Sequence, residues 1–160
     1  MRLQEIRELM EKANQVQSSL QEVTAKLNDT YEYYKFANSM QDGILTWDEI
    51  AKYPIGSELE LPSTYGSSIS SLKTYQSDKE MRFVVTFNDY SVLIRHNHPD
   101  IDETIYVATP STFKVLVGDG AGEFILKYGS TLPIPAGVDH QVTHRGKGEG
   151  ILEVVFKKVL

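Results

Sequence analysis

The sequence contains no cysteine among its 160 residues, which excludes disulfide bonds and thiolate metal ligands. No stretch approaches the roughly 18 consecutive apolar residues of a membrane-spanning helix. The first residues, MRLQEIRELMEK, are charged throughout and lack the apolar core of a secretory signal. The net charge is −6, and the basic residues form no stripe of the kind that nucleic-acid-binding proteins carry. These absences predict a cytoplasmic protein whose partners include neither membrane nor nucleic acid.

What is present fits a soluble globular protein, because 41% of the residues are hydrophobic and 24% are charged. The length suits one domain with an additional element. We predict three segments. Residues 1–40 form an amphipathic helix, residues 41–79 form a short helix and a connecting segment, and residues 80–160 form a β-barrel.

The N-terminal segment has apolar residues at heptad spacing from residue 3 to about residue 37, and neither glycine nor proline interrupts it. Two positions of this apolar seam are polar, Gln17 and Thr24. The segment is therefore a candidate coiled coil that assembles the chain into a homo-oligomer. The alternative is an amphipathic helix packed on its own domain. The heptad residues are Leu3, Ile6, Met10, Ala13, Leu20, Leu27, Tyr31 and Tyr34.

The middle segment opens with a capping-box pattern, because Thr46 is followed three residues later by Glu49. This pattern predicts a short helix, and Pro54 predicts its end. Residues 56–79 are rich in glycine, serine and threonine, so we expect a connecting segment with one candidate strand at SELEL.

From Glu80 onward the sequence consists of short β-prone runs separated by turn residues, which indicates an all-β sandwich or barrel. Alternation gives each strand an inner and an outer face. The predicted strands are MRFVVTF, YSVLIRH, ETIYV, FKVLV, EFILK, HQVTH and GILEVVFKKV.

All four histidines of the chain fall into two short clusters, one near residue 97 and one near residue 142. His96 and His98 point to the same side of a strand, because side chains repeat every two residues. Glu103 begins the next strand after a turn, and His140 follows the turn PAGVD. Three imidazoles and one carboxylate form a ligand set that suits one divalent metal ion: Fe, Mn, Ni, Co or Zn.

The patterns HNHPDIDE and GSTLPIPAGVDHQVTH resemble the two motifs of the cupin superfamily. The resemblance covers about residues 80–158 and implies an all-β double-stranded β-helix, or jelly-roll barrel, with the helix as an N-terminal extension. It also implies His96, His98, Glu103 and His140 as metal ligands. In the second motif Gly129, Pro135 and Gly137 match as well.

The sequence departs from the cupin pattern at three positions. Tyr90 and Pro110 replace glycines, so we expect the turns there to differ. His144 stands where the second motif has asparagine. It is a candidate catalytic residue that transfers protons or supports a ligand, or else a polar residue at a strand end.

Charged residues also flank the ligands. Arg95, Asp102 and Asp139 each adjoin a ligand, but alternation points them away from the barrel interior. We therefore expect them to be outer-face residues.

Three functions fit these features. The first is a small-molecule metalloenzyme of the oxygenase or isomerase type. The second is a barrel that binds a small ligand, such as a sugar or a carboxylate, without turnover. The third is a metal-stabilised structural barrel on a helical oligomerisation stalk.

Overall fold

The computed structural model describes residues 2–38, 46–61, 63–64, 68–118 and 122–159. The chain forms two compact units, one ending at Lys35 and one beginning at Phe36. In the N-terminal unit, side chains are described as far as residue 24. The heptad positions Leu27, Tyr31 and Tyr34 lie beyond that point.

The N-terminal helix α1 spans Leu3–Asn38, which confirms the helix predicted for residues 3 to 37. Seven large apolar side chains of its described part are exposed to solvent. These exposed residues are Leu3, Ile6, Leu9, Met10, Val16, Leu20 and Val23.

None of the helices in the described ranges combines the length and apolarity needed to cross a bilayer.

A second helix, α2, spans Trp47–Ala51. Thr46 is its N-cap, with Oγ1 accepting a hydrogen bond of 3.4 Å from the backbone N–H of Glu49. This confirms the capping prediction, since a side-chain oxygen satisfies a backbone donor of the first turn. The helix ends at Ala51, before Pro54 is reached, and the side chain of Trp47 is buried.

The described residues after α2 form strands in two antiparallel sheets. The six-stranded sheet has the order β1-β3-β4-β11-β6-β9, and the five-stranded sheet has the order β2-β5-β10-β7-β8. Both orders interleave early and late strands, as a jelly roll does. The strands are β1 (Glu58–Leu61), β2 (Ser63–Thr64), β3 (Ile69–Gln76), β4 (Glu80–Phe87), β5 (Val92–His96), β6 (Ile101–Val107), β7 (Phe113–Val117), β8 (Gly122–Leu126), β9 (Thr131–Ile134), β10 (His140–His144) and β11 (Gly150–Lys158).

The sheets begin before residue 80. β1 confirms the candidate strand at SELEL, whereas β2 and β3 lie in the predicted connecting segment without having been predicted as strands. β3 is an eight-residue strand that pairs with β4 along its length. Its inward positions are held by Ile69, Ser71 and Lys73, and a serine and a lysine conceal the apolar alternation by which a strand is predicted. The short strand β9 carries Pro133, and it too was not among the predicted strands.

The core lies between the two sheets and follows the expected alternation. In β6 the odd-numbered positions from Ile101 to Val107 are buried, whereas Asp102 and Tyr106 are exposed. Aromatic rings fill the core in contacting pairs, Phe83 with Phe156 and Phe87 with Phe113. Because Glu103 occupies one of the inward positions of β6, the alternation that builds the core also carries a carboxylate into it.

Candidate metal centre

The four predicted ligands come from three neighbouring parts of the barrel. His96 ends β5, and His98 follows it in the turn before β6. Glu103 lies within β6, and His140 begins β10. The strands β5 and β10 are paired with His140 directly opposite His96, and the two ring centroids are 4.1 Å apart.

The side chains of these four residues converge at one buried point. One potential ligand atom from each lies within 4.8 Å of the others. Oε2 of Glu103 is 2.9 Å from Nε2 of His140 and 3.7 Å from Nε2 of His98. All four residues are less than a tenth exposed, so the arrangement is shielded from bulk water.

Two of the imidazoles are oriented by backbone carbonyls. Nδ1 of His96 lies 2.7 Å from the carbonyl oxygen of Ile94, and Nδ1 of His140 lies 3.0 Å from that of Val138. In the neutral ring, an Nδ1–H that donates to a carbonyl leaves the Nε2 lone pair as the acceptor. This arrangement holds the tautomer and ring angle of metal-ligating histidines in proteins.

The arrangement fits a metal ion. Nε2 of His140 and Oε2 of Glu103 are buried without a hydrogen bond of normal geometry, although they are only 2.9 Å apart. Buried polar atoms otherwise nearly always have a partner. Ligand atoms at about 2.1 Å from one ion lie no more than about 4.2 Å apart, so the most widely separated donor atoms must each move inward by about 0.3 Å or more.

The charges of the cluster are strongly coupled. Burial lowers the pKa of His96 well below its usual value, and the neighbouring His140 and His98 add to this effect. For Glu103, burial acts to raise the pKa, but the imidazoles of His140, His98 and His96 lower it to about 2. For His140, burial acts to lower the pKa, but the Glu103 carboxylate raises it overall. Glu103 is therefore ionised at neutral pH, as a metal ligand must be.

Backbone N–H groups of the PAGVD turn donate hydrogen bonds to the segment that carries the first motif. The N–H of Gly137 donates to the carbonyl oxygen of His98 at 2.9 Å, and the N–H of Ala136 donates to Oδ1 of Asp102 at 2.9 Å. Gly137 has a φ of 76°, a left-handed conformation that glycine adopts without strain. This explains why the turn before His140 contains glycine at this position.

The structure resembles several solved structures. A predicted oxalate decarboxylase from Thermotoga maritima superposes with a TM-score of 0.55 at 11% identity, covering 64% of this chain and 93% of that one. An RmlC-like cupin from Shewanella frigidimarina gives 0.52 at 21% identity, covering 68% and 91%. KdgF from a Halomonas species gives 0.51 at 18% identity, covering 57% and 80%. No protein-family model and no curated protein sequence matches the chain.

The chain has the cupin fold.

An ion pair that sequence reasoning missed lies next to two of the predicted ligands of this barrel. Arg95 of β5 forms a salt bridge with Asp139, and the Nδ2 of Asn97 donates to Oδ1 of Asp139 at 2.7 Å. The Arg95 and Asp139 side chains are only 10% and 12% exposed. Alternation correctly placed both off the inner face, but only the pairing of β5 with the start of β10 brings the opposite charges together.

His144 lies at the other end of β10 from His140. Its Nδ1 is 2.9 Å from the carbonyl oxygen of Asn88, and its ring packs on Phe113 at a centroid distance of 5.0 Å. A Cβ on Gly150 would come within 2.7 Å of its Nε2, so the ring fills a tight space between strands. The four-residue cluster does not include it, and a catalytic role for His144 stays a prediction.

The cupin barrel encloses a cavity of about 510 Å³, within the range of small-molecule sites. His96, His98 and Glu103 line it, whereas His140 does not. The side of the cluster that faces the cavity is therefore the side from which a small molecule can reach it. Much of the remaining surface is apolar, with contributions from Phe83, Leu152 and other core residues.

Proposed function

We propose that this cupin binds one divalent metal ion through His96, His98, Glu103 and His140 and acts on a small molecule in the barrel cavity. The reaction class that we favour is that of a metalloenzyme of the oxygenase or isomerase type. The observation that carries the proposal is the convergence of four buried donor groups, two of them with Nε2 oriented inward, beside an apolar cavity.

The chain contributes binding and orientation in this proposal. His96, His98, Glu103 and His140 hold the ion, and Fe, Mn, Ni, Co and Zn all suit such a set. A bound ion supplies Lewis acidity toward a carbonyl, a carboxylate or water. The apolar walls exclude water from the reacting groups, which strengthens electrostatic interactions among them. The fold shared with a predicted oxalate decarboxylase supports an enzymatic role.

A second candidate is a barrel that binds its ligand without turnover. Apart from the ligands, the described titratable side chains around the cavity are Glu49, Lys52, Tyr53 and Glu60. Glu60 lies on β1, and the other three lie in or just after α2. Apart from the ligands, strands β3 to β11 thus contribute no further acid or base to the described cavity lining, and this favours the non-catalytic alternative.

The test begins with elemental analysis of the purified protein, followed by assays for oxygen uptake and product formation with panels of small organic substrates. We expect about one equivalent of metal per chain in the wild type and loss of both metal and turnover in His96→Ala. A ligand that binds tightly and is recovered unchanged supports the second candidate. Wild-type protein that takes up no metal, with His96→Ala behaving identically in every assay, contradicts both.

A further inference from the structure

The wall of the cavity is completed by residues that precede the cupin motifs. Ile50 and Tyr53 contribute to it from the α2 region, and Leu59 and Leu61 contribute from β1. These residues precede residues 80–158, the region that carries the resemblance to the cupin motifs. The segment 46–61 is therefore a part of the cavity wall that the two motifs do not include.

This wall segment is held in place by side chains of the barrel. The backbone N–H of Trp47 donates to Oδ1 of Asp100 at 2.9 Å, and Asp100 lies in the turn between His98 and Glu103. At the other end, the buried Nζ of Lys73 donates to the carbonyl oxygens of Ile50 and Tyr53, at 2.8 and 2.6 Å.

These contacts satisfy the carbonyl groups that a helix leaves unpaired at its C-terminal end. The side chain of Gln76 assists, because its Nε2 donates to the carbonyl oxygen of Ala51 at 3.2 Å. Since both ends of α2 are bonded to the barrel, the wall is preformed, and little conformational entropy is lost when a ligand binds.

The chemistry of the cavity surface selects against a polyhydroxylated ligand. Its lining side chains are mainly aliphatic or aromatic, and Ser71 contributes a hydroxyl from β3. Apart from the candidate ligand Glu103, its charged groups belong to residues 46–61. A hydroxyl buried without a hydrogen-bond partner costs more than it gains from burial. An alkyl or aryl group gains free energy from the same surface.

The ligand cluster adds one polar requirement. A divalent cation held by three neutral imidazoles and the Glu103 carboxylate carries a net positive charge, which attracts an anionic group. This step rests on the proposed metal function, whereas the apolar character of the cavity does not.

We propose that the cavity binds a small, mainly apolar molecule with a single anionic group, and that residues 46–61 form the part of the wall that selects it. The anionic group lies toward His96, His98 and Glu103. The apolar body lies against the barrel strands and against Ile50.

The test measures calorimetric affinities of zinc-loaded full-length protein for butanoate, hexanoate, octanoate and the six-carbon polyhydroxy acid gluconate. We expect the affinity to rise about fourfold for each added methylene group and gluconate to bind at least about tenfold more weakly than hexanoate. A flat series, or gluconate binding as tightly as hexanoate, overturns the proposal.

Two pairs of variants locate the contacts. Val154 faces the cavity and its neighbour Val155 lies on the outer face of β11, so Val154→Thr should weaken octanoate binding and Val155→Thr should not. Ile50→Ala should weaken octanoate binding about fivefold or more. The control is Ile55→Ala, because Ile55 belongs to the same segment but is exposed, and it should leave octanoate binding unchanged. Equal effects within both pairs overturn the assignment of the wall.

A metal-free experiment separates this inference from the proposed function. Neutral butanol, hexanol and octanol need no metal, so their affinities for protein stripped of metal should also rise with chain length. A rising alcohol series in protein that takes up no zinc supports the apolar cavity and contradicts the metal function. A flat alcohol series in protein that does take up zinc contradicts the apolar cavity alone.

Discussion

The ion pair between Arg95 and Asp139 connects both halves of the candidate site, and its removal should destabilise the barrel strongly. Arg95 precedes His96, and Asp139 precedes His140. Both side chains are about nine-tenths buried, so the change Asp139→Asn leaves a guanidinium in a low-dielectric environment without the carboxylate that balances it. Breaking a buried pair in this way costs about 3 to 5 kcal/mol.

The assay is urea denaturation of metal-free protein, followed by the fluorescence of Trp47. This residue is the single tryptophan of the chain and is 4% exposed, so its emission reports on the unit that contains the barrel. The matched control is Glu80→Gln, which removes the solvent-accessible ion pair between Glu80 and Arg82 on β4. Such surface pairs contribute no more than about 1 kcal/mol.

A double variant separates the pair from its surroundings. Replacing both charges, as in Arg95→Met with Asp139→Leu, should cost less than the two single changes added together, because neither charge is then buried without the opposite charge of this pair. Affinity for metal should fall in Asp139→Asn and stay unchanged in Glu80→Gln. If Asp139→Asn and Glu80→Gln lower the free energy of unfolding equally, the buried pair does not support the site as described.

Three further predictions follow from other parts of the chain. Because Glu103 raises the pKa of His140 above its usual 6.5, metal binding near pH 6.5 should displace up to about one proton from His140. Calorimetry in buffers of different ionisation enthalpy should show this release declining as the pH rises through that pKa, and a constant release would contradict it. Gly137→Ala should lower the free energy of unfolding by about 1 to 2 kcal/mol, because the residue has a φ of 76°. A Cβ there would meet no atom within 4 Å, so the cost comes from the backbone conformation and not from a clash. The control Gly146→Ala, where a Cβ would make an ordinary contact of 3.7 Å, should have little effect in the same denaturation assay. Deleting residues 1–37 should reduce the number of chains per particle in light scattering while the metal content per chain stays the same, and an unchanged assembly would count against the coiled-coil prediction.

The stability of the metal-free barrel should also depend on these protonation states. Glu103 has a pKa lowered to about 2, so its contribution is present above the usual carboxyl range and is lost as the pH falls toward 2. The raised pKa of His140 acts in the opposite sense, because its contribution is complete below pH 6.5 and is lost as the pH rises through the raised value.

Local rules predicted an all-β domain and the inward positions of single residues, whereas the convergence of all four side chains was implied by the resemblance to the cupin motifs. Alternation along β6 places Glu103 inward among Ile101 and Ile105, and a strand with two histidines two residues apart presents both on one side. The match of Gly129, Pro135 and Gly137 to the second cupin motif then implied that His140 completes the site.

Features that depend on strand register and on distant side chains could not be predicted. The strand β3 has Ser71 and Lys73 at inward positions, and a buried lysine becomes favourable only when the carbonyl oxygens of Ile50 and Tyr53 meet its ammonium group. Likewise, the pairing of Arg95 with Asp139 depends on the register of β5 and β10, which no local pattern contains.

The most direct test of the metal centre is a crystal structure of the protein grown with cobalt or zinc, with anomalous differences measured at the absorption edge. The account predicts one strong anomalous peak per chain, about 2.0 to 2.2 Å from an imidazole nitrogen of His96, His98 and His140 and from a carboxylate oxygen of Glu103. A map with no peak among these four residues, at a metal concentration that saturates binding in solution, would contradict the central claim.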